Sequence, residues 1–373
     1  MNTRLLLPGR LEGIGWFTVE SLKRITSSHP EHEFLFLFDR PFSEQFIFSG
    51  NITPLVVGPQ SRHPFLWYLW FERNLPRVLK REKADFFLSP DGYLSLSADI
   101  PSLPVIHDIN FMHNPEYHRW LTSKYYRHYF PRFAAKATRI ATVSEYSKND
   151  ICRTFNIQHD KTDVVYNGAG SIFRPLSSQE KIEVKNKLTG GDDYFVFVGS
   201  FHERKNVCGL LMAYESFRKE TGNNIRLVLV GERMNGYSRM EKIIGNMRFA
   251  GDVIFTGRLQ NEELCRTYGA AAALVFVPFF EGFGIPLLEA MNCDIPVIAS
   301  NITSIPEVTG DAAHLVNPYD INSIAGGMTK VVSDPEYREL LLKRSASRKN
   351  LFSWDRTAKL LWESIEKAVE SAG

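Results

Sequence analysis

The sequence predicts an α/β protein of two domains, each a parallel sheet with helices on both faces. Three observations carry that reading. Short apolar runs alternate with helical patterns through the first half, as strands joined by crossover helices do. The alternation starts afresh after Asn167-Gly168, a turn signal in any fold. The length of 373 residues suits two domains of ordinary size. The boundary is expected near residues 170–175, giving domains 1–170 and 171–353 and a closing helix at 354–373.

The opening MNTRLLLPGR reads as a first strand, Arg4–Leu7, and is too short for a signal peptide. Gly13-Ile14-Gly15 follows, then a helix carrying Phe17, Val19 and Leu22. The two glycines fit a plain strand-to-helix turn or a phosphate cradle. Further strands are expected at Phe34–Phe38, Leu55–Val57, Asp85–Leu88, Pro104–His107, Arg139–Val143 and Asp163–Val165. Ligands of such sheets bind at the carboxyl ends of the strands. His107-Asp108 lies at one such end, where a histidine is either structural or a hydrogen-bonding group of the site. Ser144 or Ser147 should cap the helix that follows Val143.

Two stretches of the first half are basic and aromatic. Residues 62–83 carry a net +4 with Phe65, Trp67, Tyr68, Trp70 and Phe71. Residues 118–139 carry a net +6 and no acid, with Trp120, Tyr125, Tyr126, Tyr129, Phe130 and Phe133. Such helices can lie on an anionic membrane or grip a phosphorylated acceptor. They can equally turn the aromatics into the core and leave a solvated basic face. A whole-chain charge of only +2 speaks against nucleic acid as a partner.

In the second half, strand Phe195–Gly199 runs into Arg204-Lys205-Asn206 and a helix over 207–219. Two adjacent cations at a loop-to-helix junction can neutralise a diphosphate, although such pairs are common on surfaces. Strands Leu227–Gly231 and Val253–Gly257 follow, the latter leading into Arg258-Leu259. A helix at Glu262–Gly269 precedes the most informative stretch, VFVPFFEGFGIPLLEAMNCDIPVIAS, from Val275 to Ser300. It reads as a buried strand, a glycine turn at Gly282 and Gly284, a helix over Ile285–Asn292 and another strand, Val297–Ala299. Pro286 sits where a first helical turn tolerates it. Glu281 and Glu289 frame the helix start with seven residues between them. A helix N-terminus favours anions, and flanking carboxylates accept hydrogen bonds from sugar hydroxyls. That combination suits a nucleotide diphosphate-sugar.

This stretch resembles the donor-site motif of retaining GT-B glycosyltransferases of family 4, matched by Glu281, Gly282, Phe283, Gly284, Pro286, Glu289 and Ala290. Asp294 departs from the pattern, which has glycine there. Gly199 with Arg204, Lys205 and Asn206 fits the family's strand-Gly to Arg-Lys-Asn segment. The resemblance implies two Rossmann-like domains facing a cleft, the first mainly reading the acceptor and the second binding the nucleotide-sugar donor, with the last helix crossing back to the first domain and Trp354 or Trp362 packing there. It implies that Arg204 and Lys205 hold the leaving diphosphate with the helix start at Ile285 and Leu287. Glu281 would orient the sugar's 3- and 4-hydroxyls, Glu289 the ribose, and the amides of Phe283 and Gly284 would add sugar contacts. Gly13 and Gly15 would face the diphosphate, His107 the transferred sugar, and the backbone near Leu259 the nucleobase.

No DxD-type cluster follows a strand, and the family needs neither metal nor cofactor. The motif phrase is most similar to bacterial mannosyltransferases of cell-surface polysaccharide assembly. GDP-mannose is the first expected donor, UDP-glucose or UDP-N-acetylglucosamine the second, and a glycan or lipid-linked molecule the acceptor. Four scattered cysteines without a CxxC pair read as reduced structural thiols of a cytoplasmic protein, at most at the inner membrane face. An epimerase or phosphorylase on the same scaffold would need a water-activating acid pair or a pyridoxal lysine, and no motif supplies either. A non-catalytic scaffold would not need Arg204, Lys205, Glu281 and Glu289 intact.

Overall fold

The structure, a computed structural model, describes residues 1–232 and 237–371. Two compact units emerge, Met1–Gly168 with Ser353–Gly373, and Ala169–Phe352. Residues 372 and 373 of the expected closing helix lie outside the described residues.

In the first unit the strands are β1 (Phe34–Phe38), β2 (Ile52–Val56), β3 (Phe87–Ser89), β4 (Ser102–Pro104), β5 (Ile140–Thr142) and β6 (Thr162–Val164). All pairings are parallel. The N-terminal residues insert between β1 and β3: Asn2 bridges Leu37, and its amide donates to the Leu88 carbonyl at 2.9 Å. The expected strand Arg4–Leu7 is not formed, and the extended piece ends at Thr3. There the chain turns so that Arg4, 6% exposed, can pair with Asp91 at 2.7 Å and lie over the Tyr93 ring. A buried guanidinium needs such partners, and a continuing strand would not deliver them. Gly13 and Gly15 are likewise not in a loop: both fall in the first turn of helix Gly13–Ser28.

The closing helix, Trp354–Glu370, packs in this first unit, whose other end of chain lies almost two hundred residues upstream. Trp354 is buried against Phe17, and Trp362 stacks on His29 with ring centroids 3.7 Å apart. Gly168 makes this return possible, since a Cβ there would lie 2.3 Å from the Trp354 backbone nitrogen. The aromatic stretches divide between core and surface. Trp67, Trp70, Phe71, Tyr125, Phe130 and Phe133 form the core, whereas Phe65 and Trp120 are 63% and 69% exposed. Ser144 caps helix Glu145–Phe155 by accepting from the Ser147 amide at 3.1 Å.

The second unit is one parallel sheet of six strands: β7 (Tyr194–Val198), β8 (Arg226–Val230), β9 (Val253–Gly257), β10 (Ala273–Phe276), β11 (Val297–Ser300) and β12 (His314–Val316). Their spatial order is β12-β11-β10-β7-β8-β9. The central strands are buried on both faces, which explains their near-continuous apolar sequences. Chain order reverses between β7 and β10. The loops leaving those two strands therefore diverge to opposite faces and open a crevice at their carboxyl ends.

Candidate active site

The β7/β10 switch point of the second unit carries a buried ionic cluster. Beyond β7, Gly199 takes φ +151°, and a 3-10 turn over Glu203–Lys205 follows. His202 starts that turn, its Nδ1 accepting from the Arg204 amide at 3.2 Å. Beyond β10 comes Glu281, 7% exposed. Arg204 Nη1 donates to Glu281 Oε1 at 2.9 Å and to the Phe280 carbonyl at 2.8 Å, and Lys205 Nζ donates to the same Oε1. Burial alone would push the Glu281 carboxyl up, but the two cations outweigh it and hold the carboxyl below its ordinary value. Ser304 Oγ donates to the Glu281 carbonyl at 2.9 Å and fixes the backbone there.

Helix Ile285–Asn292 begins directly after this cluster. Gly284 precedes it at φ +96°, a conformation glycine adopts without strain, and no side chain caps the helix. A Cβ on Gly284 would also meet Leu287 Cδ1 at 2.9 Å. The Leu287 amide donates back to the Gly284 carbonyl at 3.0 Å. Phe283 is buried, its ring edge-on to Phe352. Glu289, one turn further on, accepts from the Tyr268 hydroxyl at 2.9 Å. Burial pushes its carboxyl up to about 7, with the Tyr268 hydrogen bond acting the other way.

The structure thus brings Arg204, Lys205 and Glu281 into one ionic cluster and sets Gly282, Phe283, Gly284, Ile285 and Glu289 around the adjoining helix start. Leu259 sits at the carboxyl end of β9, half-buried. Gly13, Gly15 and His107 belong to the first unit. His107 Nε2 lies 2.8 Å from the Pro90 carbonyl, and burial lowers its pKa, so the ring is neutral with Nε2–H donating there and Nδ1 left as an acceptor. Asp294, the departure from the glycine pattern, takes φ +52° and pairs with Lys349 at 2.7 Å. Aspartate tolerates the left-handed region better than most residues, and Lys349 holds it there.

Tyr268 and His202 escaped sequence reasoning as site residues. Tyr268 lies 21 positions before its partner Glu289, on another helix, and nothing in the local pattern marks it. Among the described residues, no three His, Cys, Asp or Glu side chains are grouped as metal ligands, and no helix is long and apolar enough to cross a membrane. All four cysteines are unpaired thiols.

A family model described as "Glycosyl transferases group 1" matches residues 178–348, and one described as "Glycosyltransferase Family 4" matches residues 23–169. The chain is 29% identical to O-antigen chain mannosyltransferase B of Escherichia coli, over 92% of this chain and 93% of that protein. It is 27% identical to an O-antigen chain mannosyltransferase of Salmonella typhimurium, over 79% and 80%. A serotype-specific mannosyltransferase of Escherichia coli is 29% identical over 76% of this chain, which spans 36% of that longer protein. Among solved structures, Anabaena HepE in complex with UDP and glucose superposes with a TM-score of 0.74 at 15% identity, over 96% of this chain and 97% of that one. Sucrose-phosphate synthase from Thermosynechococcus elongatus gives 0.76 at 18% identity, over 94% and 92%. These likenesses identify the fold as GT-B, with two Rossmann-like domains.

Proposed function

The chain belongs to the group 1 glycosyltransferases, family 4, and from that premise we propose that it transfers mannose, with retention, from GDP-mannose to a lipid-linked glycan of the cell surface. The observation that carries the donor site is the Arg204–Lys205–Glu281 cluster beside an uncapped helix N-terminus at the sheet's switch point. The names of the relatives support mannose and O-antigen-type glycans. UDP-glucose and UDP-N-acetylglucosamine are the competing donors.

In this reading the diphosphate binds across Arg204, Lys205 and the Gly284–Ile285 amides. Glu281 receives the sugar's hydroxyls and Glu289 the ribose's. The sugar C1–O bond breaks, its electron pair goes to the β-phosphate oxygen, and the acceptor hydroxyl passes its proton to that oxygen as it bonds to C1 on the same face. Charge on the leaving phosphate is met by groups already in place, which is electrostatic preorganisation. Glu281 is a poor covalent nucleophile because its charge is held by two cations. No metal or cofactor takes part in this scheme.

The test is binding and turnover of the three donors with EDTA present, from pH 6 to 8. GDP-mannose should bind most tightly. Its affinity should rise with pH through about 7 and then level off. The sign follows because Glu289 is partly protonated at the low end, and only the carboxylate accepts fully from the ribose. The phosphates of GDP-mannose carry no second ionisation in this range, unlike a terminal phosphate near 6. Glu289→Gln should flatten the profile. Equal binding of all three donors would remove the assignment of mannose, and a flat wild-type profile the assignment of Glu289.

The acceptor's lipid places the enzyme at a membrane, at the cytoplasmic face in this reading. Exposed Phe65, Tyr68 and Leu121 line one apolar groove with Lys124, whose ammonium lies over the ring of exposed Trp120 at 3.9 Å. Aromatic side chains set among lysine and arginine suit an anionic interface. The protein should float with phosphatidylglycerol vesicles and not with phosphatidylcholine alone, and Phe65→Ser with Trp120→Ser should release it. Wild type that stays with the soluble fraction in both removes this part of the reading.

A further inference from the structure

We propose that Phe279 and Tyr319 form a stacking platform for a hexopyranose ring of the acceptor glycan, on the flank of the donor site away from the nucleobase. The proposal rests on the donor-site reading above and adds a second sugar subsite to it.

Tyr319 is 70% exposed, and its ring stacks on Phe279 at a centroid distance of 4.9 Å and an interplanar angle of 18°. One face of Tyr319 is therefore covered, and the opposite face is open. A single exposed aromatic means little. This pair, however, is anchored as a surface residue seldom is. Asn206, 3% exposed, donates from Nδ2 to the Val277 carbonyl at 3.0 Å and to the Pro318 carbonyl at 2.8 Å. That one amide ties the loop bearing Phe279 to the loop bearing Tyr319. Asn317 Oδ1 accepts from the Tyr319 amide at 3.0 Å, and the Phe279 amide donates to the Arg204 carbonyl at 2.9 Å. The platform is thus fastened to the backbone that carries Arg204 and, two residues past Phe279, Glu281.

Its place follows from the strand order. Phe279 follows β10 and Tyr319 follows β12, so both lie at the carboxyl edge of the sheet, where the donor motif lies. β12 ends the sheet on one side, and β9, which leads to Leu259, ends it on the other. A nucleobase near Leu259 and a ring on Tyr319 would sit on opposite sides of the β7/β10 crevice. A pyranose offers a flat face of C–H bonds and a rim of hydroxyls. An open aromatic face flanked by the exposed polar side chains of Asn317 and Asp320 fits both parts.

Mannotriose serves as the probe, titrated by saturation-transfer NMR into wild type, Tyr319→Ala and Tyr319→Phe, each saturated with GDP. Calorimetry with GDP runs alongside. Tyr319→Ala should weaken mannotriose about tenfold, the scale of one lost ring stack. Tyr319→Phe keeps the ring and should stay within about twofold of wild type. GDP affinity and melting temperature should be equal in all three. Equal mannotriose affinity in wild type and Tyr319→Ala overturns the platform, as does a wild type that binds GDP but not mannotriose. A wild type that binds no GDP overturns the donor-site reading and the platform with it.

Discussion

Arg204→Ala is expected to lower the rate of sugar transfer by about 10²–10³-fold, the usual loss when one preorganised charge-stabilising group is removed. The guanidinium is held toward the crevice by two hydrogen bonds, to Glu281 and to the Phe280 carbonyl. In the proposed donor site it would therefore enter the reaction already oriented, where water cannot replace it at no cost. Removing it also leaves Glu281 with Lys205 alone. That charge-assisted contact contributes about 2 kcal/mol, too little to unfold a domain of ordinary stability. The check is kcat measured beside the melting temperature. A folded variant with wild-type kcat would show that Arg204 does not meet the developing charge.

Glu281→Gln is expected to separate binding from turnover. In the structure the carboxylate occupies both cations that a diphosphate would need. Replacing it by a neutral amide removes a competing negative charge a few ångströms away. GDP should then bind about tenfold more tightly, which is about 1.4 kcal/mol. Transfer should fall by about 10²-fold, because the sugar loses its charged hydrogen-bond acceptor. Calorimetry and initial rates on one preparation read both effects. Parallel losses of GDP affinity and rate would mean that Glu281 serves to position the cations and does not meet the sugar.

These two expectations depend on different kinds of legibility. The β7 and β10 strands, the boundary glycines and the charged residues after them could be read from the chain because each motif is contiguous and its period or punctuation is local. Parallel burial of Phe195–Phe197 and Leu274–Phe276 writes itself into sequence as unbroken apolar runs. What joined them in space could not be read. That Glu281 pairs with Arg204 and Lys205, more than seventy residues away, follows from the strand order and not from any spacing. The Tyr268–Glu289 contact is hidden for the same reason. The first strand was misplaced because Leu5, Leu6 and Leu7 look like a strand, while the decisive event is the burial of one arginine against Asp91. The basic-aromatic stretches held both alternatives at once. Trp70 and Phe71 became core, and Phe65 and Trp120 remained outside, a division set by which helix face meets the sheet.

The most direct test of the central claim is calorimetric titration of GDP, without metal, into wild type and Arg204→Ala. The account predicts a single site in wild type, with GDP bound more tightly than UDP. It also predicts stabilisation near 2.7 kcal/mol when GDP stands at about 100 times its dissociation constant. Both binding and stabilisation should be sharply weakened in Arg204→Ala. A wild type that binds neither nucleotide, or an Arg204→Ala protein that binds GDP as wild type does, would contradict it.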